Sequence, residues 1–239
     1  MAAQPQTHGL PGFDLSGRRA VVFAGASATG PAVAEALREA GANVTIARTE
    51  GAGDVVNVAD TAAVERVCAD LGALDIAVFV PEMYLAAPIA GTADADVHAV
   101  ISTNLIGAYN IFRSASKAMA TSASGRLITV IPAAALRGLA NLSAYSAAHA
   151  GIVGLVRSLS QELGARGITV NAIATGWMED TPGRGPDEIS DNQLLRYIPM
   201  RRFGSTDEIA LLAVYLASAE SGYVNGSVMA VDGGVLKHL

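Results

Sequence analysis

Arg18-Arg19-Ala20-Val21-Val22-Phe23-Ala24, then Gly25 and a short turn, then a helical pattern from about Pro31 to Ala40 that Gly41 ends: this stretch decides the fold. The apolar run is continuous and does not alternate, so the strand is expected to bury both faces. Strand, glycine turn and helix then recur along the chain. Strands are read at Val44 to Ala47, Val55 to Val58, Asp75 to Val80, Arg126 to Ile131, Ile168 to Ile173 and Ser227 to Val231. Helices are read from Asp60, as N-cap, to Leu71, from about Asp94 to Ala120, from about Ser143 to Ala165 and from Thr206 to Ala217. Strands alternating with helices require parallel pairing with right-handed crossovers, hence a single-domain α/β, doubly wound sheet of about seven strands with helices on both faces. Ligands of such sheets bind beyond the carboxyl ends of the strands, where the strand order reverses.

Composition narrows the function. The chain has 239 residues, 51% of them hydrophobic, enough to bury a substantial core. A net charge of −6 argues against nucleic acid or an anionic membrane as partner. Cys68 is the single cysteine, and the four histidines (His8, His98, His149, His238) show no metal-ligand spacing, so no metal site is expected. No apolar run reaches the roughly 18 to 20 residues of a membrane span, and the N-terminus lacks the marks of a signal peptide. A reducing, cytoplasmic setting fits. Residues 1–15 are read as a flexible extension and 16–239 as the domain. Within it, 176–204 is polar, irregular and long enough to be expected as a lid over a substrate.

A second stretch carries the chemistry. In Ser143-Ala144-Tyr145-Ser146-Ala147-Ala148-His149-Ala150-Gly151, read as a helix, Tyr145 and His149 stand four apart on one face, a spacing suited to handling a proton. Together with Arg166-Gly167-Ile168-Thr169-Val170-Asn171-Ala172-Ile173, Val231-Asp232-Gly233-Gly234 and the placing of Leu74-Asp75-Ile76 and Asn104-Leu105, this run resembles the short-chain dehydrogenase/reductase family over about Ser16 to Gly234. The resemblance implies a Rossmann-like fold, a nicotinamide cofactor, and hydride transfer to or from a carbonyl or alcohol. It implies a catalytic Tyr at Tyr145 and a proton-relay Asn at Asn104. The family's Ser, which polarises the substrate oxygen, falls at Pro132. Its Lys, which lowers the Tyr pKa, falls at His149.

Those departures matter physically. An unperturbed Tyr with pKa about 10 is roughly 0.1% phenolate at neutral pH, and lowering it by about three units is worth about 4 kcal/mol. His149 supplies a cation only when protonated, and its reference pKa is about 6.5. Pro132 has neither hydroxyl nor N–H, a loss on the order of 3 kcal/mol where an oxyanion develops. The family's glycine loop corresponds to Ala24-Gly25-Ala26-Ser27-Ala28-Thr29-Gly30-Pro31, shortened by one residue, with Gly25, Ser27 and Gly30 left to approach a pyrophosphate at a helix N-terminus. Pro31 suits a first helical turn. Arg48 stands where NADP-preferring relatives hold the 2′-phosphate, Asn57 where an Asp meets adenine, and Met178 just after the late Thr175-Gly176. The family's small residues after the fourth strand read Phe79-Val80-Pro81-Glu82, which adds a carboxylate near two phosphates.

Three readings follow. The first is a weakly active or non-catalytic subunit of a homo- or hetero-oligomer, possibly with an active relative, paired through the long helices and the small residues Ala147, Ala150, Gly151 and Gly154. The second is an NADP(H)-dependent carbonyl reductase or alcohol dehydrogenase using Tyr145 with His149. The third is a cofactor-independent, non-redox enzyme on the same scaffold. The substrate is not named by any of these residues.

Overall fold

Six parallel strands in the order β2-β1-β3-β4-β5-β6 form the sheet in the computed structural model, which describes residues 13–51, 53–122, 124–179 and 191–238. The strands are β1 (Arg19–Ala24), β2 (Asn43–Arg48), β3 (Ile76–Val80), β4 (Arg126–Pro132), β5 (Thr169–Thr175) and β6 (Val228–Val231). Between them run α1 (Thr29–Glu39), α2 (Thr61–Leu71), α3 (Asp94–Val100), a π-helical turn (Ile101–Ile106), α4 (Gly107–Ala118), α5 (Ala133–Arg137), α6 (Ser143–Leu163), α7 (Asp191–Tyr197), α8 (Thr206–Ala217) and α9 (Val235–His238).

Two cores explain the continuous apolar strands. Val21 and Phe23 of β1, with Ala77 and Phe79 of β3, face a core shared with α2, α4 and α6. Ala20, Val22 and Ala24, with Ile76, Val78 and Val80, face the other, under α1 and α8. Alternate side chains point to opposite faces and both faces are covered, so Ala20–Ala24 of β1 and the whole of β3 carry no polar side chain.

The expected strand at Val55–Val58 is corrected. Val56 N–H donates to the Arg48 carbonyl at 2.8 Å, and the Val58 carbonyl accepts from the Asn110 amide at 3.0 Å, so the segment spends its backbone groups off the ladder. Its apolarity serves packing: Val58 is 2% exposed and lies under Gly107, where an added Cβ would meet the valine at 2.7 Å. The sheet accordingly has six strands. The expected boundary at residue 15 also moves, because Leu15 is 1% exposed and its N–H donates to the Ala40 carbonyl at 2.8 Å. Of the expected lid, residues 180–190 lie outside the described residues, and 191–197 form α7.

Helix α2 begins as the sequence implies: Ala62 N–H donates to Asp60 Oδ1 at 2.9 Å, satisfying one of the free donors of the first turn. Asp60→Ala is expected to lower the unfolding free energy in urea by about 1 kcal/mol, while Asp60→Asn, which keeps the acceptor, loses only a small part of that.

Candidate functional site

Strand order reverses between β1 and β3, which pair directly through Ala24 and Val80 at their carboxyl ends. The loops leaving these two strands are thereby forced together, and this crevice is where the site lies.

From the β1 side come Gly25 and Ser27, ahead of α1. The helix starts at Thr29, two residues before the expected Pro31, so Gly30 sits within its first turn, with no room for a side chain: a Cβ there would meet the Ala24 Cβ at 2.2 Å. From the β3 side comes Glu82. Its Oε2 accepts from the Ser27 N–H at 3.0 Å and its Oε1 accepts from the Ser27 hydroxyl at 2.5 Å. A Cβ on Gly25 would lie 2.6 Å from the same Oε2 and 3.2 Å from a Glu50 carboxylate oxygen.

These residues do not fit the pyrophosphate that the family resemblance implies. The donors at Ser27 and the bare Cα of Gly25 are engaged by a carboxylate, and like charges about 4 Å apart repel by about 1 kcal/mol even in water. Gly25 and Ser27, the residues expected to approach a cofactor, are both in contact with Glu82. Arg48, at the exposed end of β2, folds its guanidinium over Gly51, and Asn57 is exposed with its Oδ1 accepting from Ala59 N–H at 3.1 Å. Met178 is 3% exposed in the α1/α8 core with its sulfur against Gly204, and it borders a cavity of about 490 Å³ with Trp177, Met200 and Asp232.

Asn104, expected as a proton-relay residue, lies beside the loop that follows β3. It lies in the π-helical turn, 0% exposed, and its amide grips one backbone unit from both sides: Oδ1 accepts from Met83 N–H at 3.2 Å and Nδ2 donates to the Met83 carbonyl at 2.8 Å. Its side chain is committed to holding the loop that carries Glu82.

Tyr145 and His149 do meet, on α6, with ring centroids 4.3 Å apart, and Tyr84 closes on Tyr145 edge-to-face at 5.3 Å. Tyr84 escaped the sequence reading because a lone phenol in a loop carries no spacing signal. His149 is 0% exposed. Its Nδ1–H donates to the Tyr145 carbonyl at 2.8 Å, one helical turn back, and among the described residues Nε2 has no hydrogen-bond partner. Burial lowers its pKa to about 4, against which the bond to the Tyr145 carbonyl counts for less. The imidazole is neutral at pH 7 and supplies no cation. Burial above all, then Tyr84 and Glu82, pushes the Tyr145 phenol above its ordinary value. This is the opposite of what a phenolate-based acid–base catalyst needs. Pro132 ends β4 beside Thr175 and, as a proline, offers no donor.

Comparison with known proteins places the chain in context. The family model described as enoyl-(acyl carrier protein) reductase matches residues 51–236. The 3-oxoacyl-(acyl-carrier-protein) reductase FabG of Escherichia coli (strain K12) is 31% identical over 244 residues, spanning 93% of this chain and 99% of that one. FabG of Chlamydia muridarum is 30% identical over 243 residues, 92% and 98% of the two chains. Among solved structures, a Beutenbergia cavernae protein described as an NAD(P)-dependent gluconate 5-dehydrogenase, with bound NADP at low occupancy, superposes with a TM-score of 0.85 at 30% identity over 94% of this chain and 98% of its own. A Sinorhizobium meliloti protein described as a short-chain alcohol dehydrogenase gives 0.81 at 31% identity over 95% and 99%.

The buried histidine predicts a pH dependence. Its pKa falls from 6.5 to about 4 on folding, so between those values the unfolded chain binds a proton that the native chain does not. Stability is expected to fall as pH drops from about 6.5 towards 4, by about 3 kcal/mol at the lower end. Urea titrations along this range check it: His149→Gln should flatten the dependence, and an unchanged slope would place its origin elsewhere.

Proposed function

This chain belongs to the short-chain dehydrogenase/reductase family, and we propose that it is a member in which the family's hydride-transfer chemistry has lapsed, a weakly active or non-catalytic subunit. The observation that carries this reading is His149. It stands at the position of the lysine, wholly buried, neutral, and hydrogen-bonded to its own helix. His149 supplies no cation to lower the Tyr145 pKa, and Pro132 leaves a developing oxyanion without the donor that the family's Ser gives. The missing donor is worth about 10² in rate and the unactivated phenol about 10³.

The partner in this reading is another family subunit, its own copy or an active relative, met along α4 and α6. Ala147, Ala150 and Gly154 face outward on α6, and Gly154 has open space around its Cα, which suits close helix packing. Gly151 does not share this role, since Leu105 covers it at 2.8 Å from where a Cβ would stand. The ordinary reductase reading draws support from the relatives, which are 3-oxoacyl-(acyl-carrier-protein) reductases by name. Tyr145, with its ring tilted against a histidine whose Nε2 has no partner among the described residues, favours cofactor-independent proton transfer as the remaining alternative.

A turnover assay decides between them. NADPH oxidation with a 3-oxoacyl thioester is expected below about 10⁻³ s⁻¹, against roughly 10 s⁻¹ for an ordinary enzyme. His149→Lys alone should leave it there, because Pro132 still lacks the donor. A wild-type rate on the order of 1 s⁻¹ overturns the reading. Size-exclusion chromatography after co-expression with an active family member tests the subunit role: a shared oligomer is expected, and a homotetramer that ignores the relative counts against it.

A further inference from the structure

We propose that Glu82 is an internal anion seated in the place of a dinucleotide pyrophosphate, with Asn104 as the positioning residue that keeps it there. The proposal deepens the reading above and rests on it for the origin of the loop Gly25–Gly30 as a former phosphate cradle.

Four observations converge. The first is the pair of hydrogen bonds to Ser27, one from the backbone N–H and one from the hydroxyl, each to a different carboxylate oxygen. Together they reproduce how a turn before a helix holds a phosphate, by main-chain and hydroxyl donors directed at one anion. The second is the contact with Gly25, where the carboxylate fills the space that the absent side chain leaves.

The third lies in α1 itself. Its N-cap, Ala28, makes no side-chain cap, and its first turn contains no acidic residue. A helix start of this kind lacks the negative charge that its dipole favours, and the carboxylate from across the crevice supplies it. The fourth is the grip on the loop. Pro81 precedes Glu82 with its own φ restricted, and Met83 follows with both backbone polar groups held by Asn104. A glutamate tethered at both neighbours returns to the same place. The Glu50 oxygen beside Gly25 adds further negative potential at the point where a pyrophosphate would bring its charges.

Calorimetric titration of the full chain with NADPH and NADH tests the proposal. Wild type should show no saturable binding up to roughly 1 mM, and Glu82→Ala should tighten NADPH binding at least about tenfold, into the micromolar range. Glu82→Gln keeps the shape and an acceptor for Ser27, so it preserves the fold should Glu82→Ala fail to, and it should fall between the two. Asn104→Ala should also gain NADPH binding, by less than Glu82→Ala; a lower melting temperature with no gain in binding would mean that Asn104 is only structural. The proposal is overturned if wild type binds NADPH as tightly as the Glu82 variants, or if the folded variants bind no better than wild type. Wild-type binding accompanied by turnover would overturn the non-catalytic reading too, whereas binding without turnover overturns this proposal alone.

Discussion

Pairing of β1 with β3 is the constraint on which the rest depends. Once Ala24 and Val80 lie side by side, the chain beyond each has nowhere to go but into the same crevice, whatever residues it carries. The fold thus guarantees a meeting of two loops, and the residues decide what the meeting is for. In this chain it joins a helix start without a side-chain cap to a carboxylate that has no ion-pair partner among the described residues. The two answer each other, and the hydrogen bonds at Ser27 are the outcome.

The same logic reaches the aromatic side of the site. The loop that brings Glu82 to Ser27 brings Tyr84 to Tyr145, and Tyr145 lies against His149. Packing rings around a helix turn removes water, and dry surroundings disfavour charge on either member of the pair. The phenol is driven to stay protonated and the imidazole to stay unprotonated. Both are then suited to packing. A lysine in place of His149 has a longer, flexible stem along which to carry its charge towards water, a route that a short, fully enclosed ring does not have.

Much of this was legible in the sequence because burial on two faces leaves a coarse mark. β1 and β3 read correctly since no polar residue interrupts them, and Asp60 marked a helix start through its own chemistry. Val55–Val58 misled because an apolar run signals burial and not ladder pairing; Val58 is buried beneath α4 and Val56 partly buried, while Val55 is exposed and the segment forms no ladder. The π-helical turn at Ile101–Ile106 left no trace, since widening one turn barely disturbs an apolar period. At the site, the identities of Pro132, His149 and Glu82 announced that something had changed. What they could not disclose was side-chain direction. That Asn104 turns to Met83 and Glu82 to Ser27 is settled by contacts between loops distant along the chain, which no local pattern encodes.

The bond between Glu82 and Ser27 also changes how this region answers to its surroundings. A cradle filled from solution is stabilised by mass action, to an extent that rises and falls with the concentration of free ligand. A cradle filled by a residue of its own chain sees a ligand of fixed effective concentration, set by the length and stiffness of the tether. With Glu82 as that internal ligand, as proposed above, the order of the crevice would be decoupled from the nucleotide pool around it.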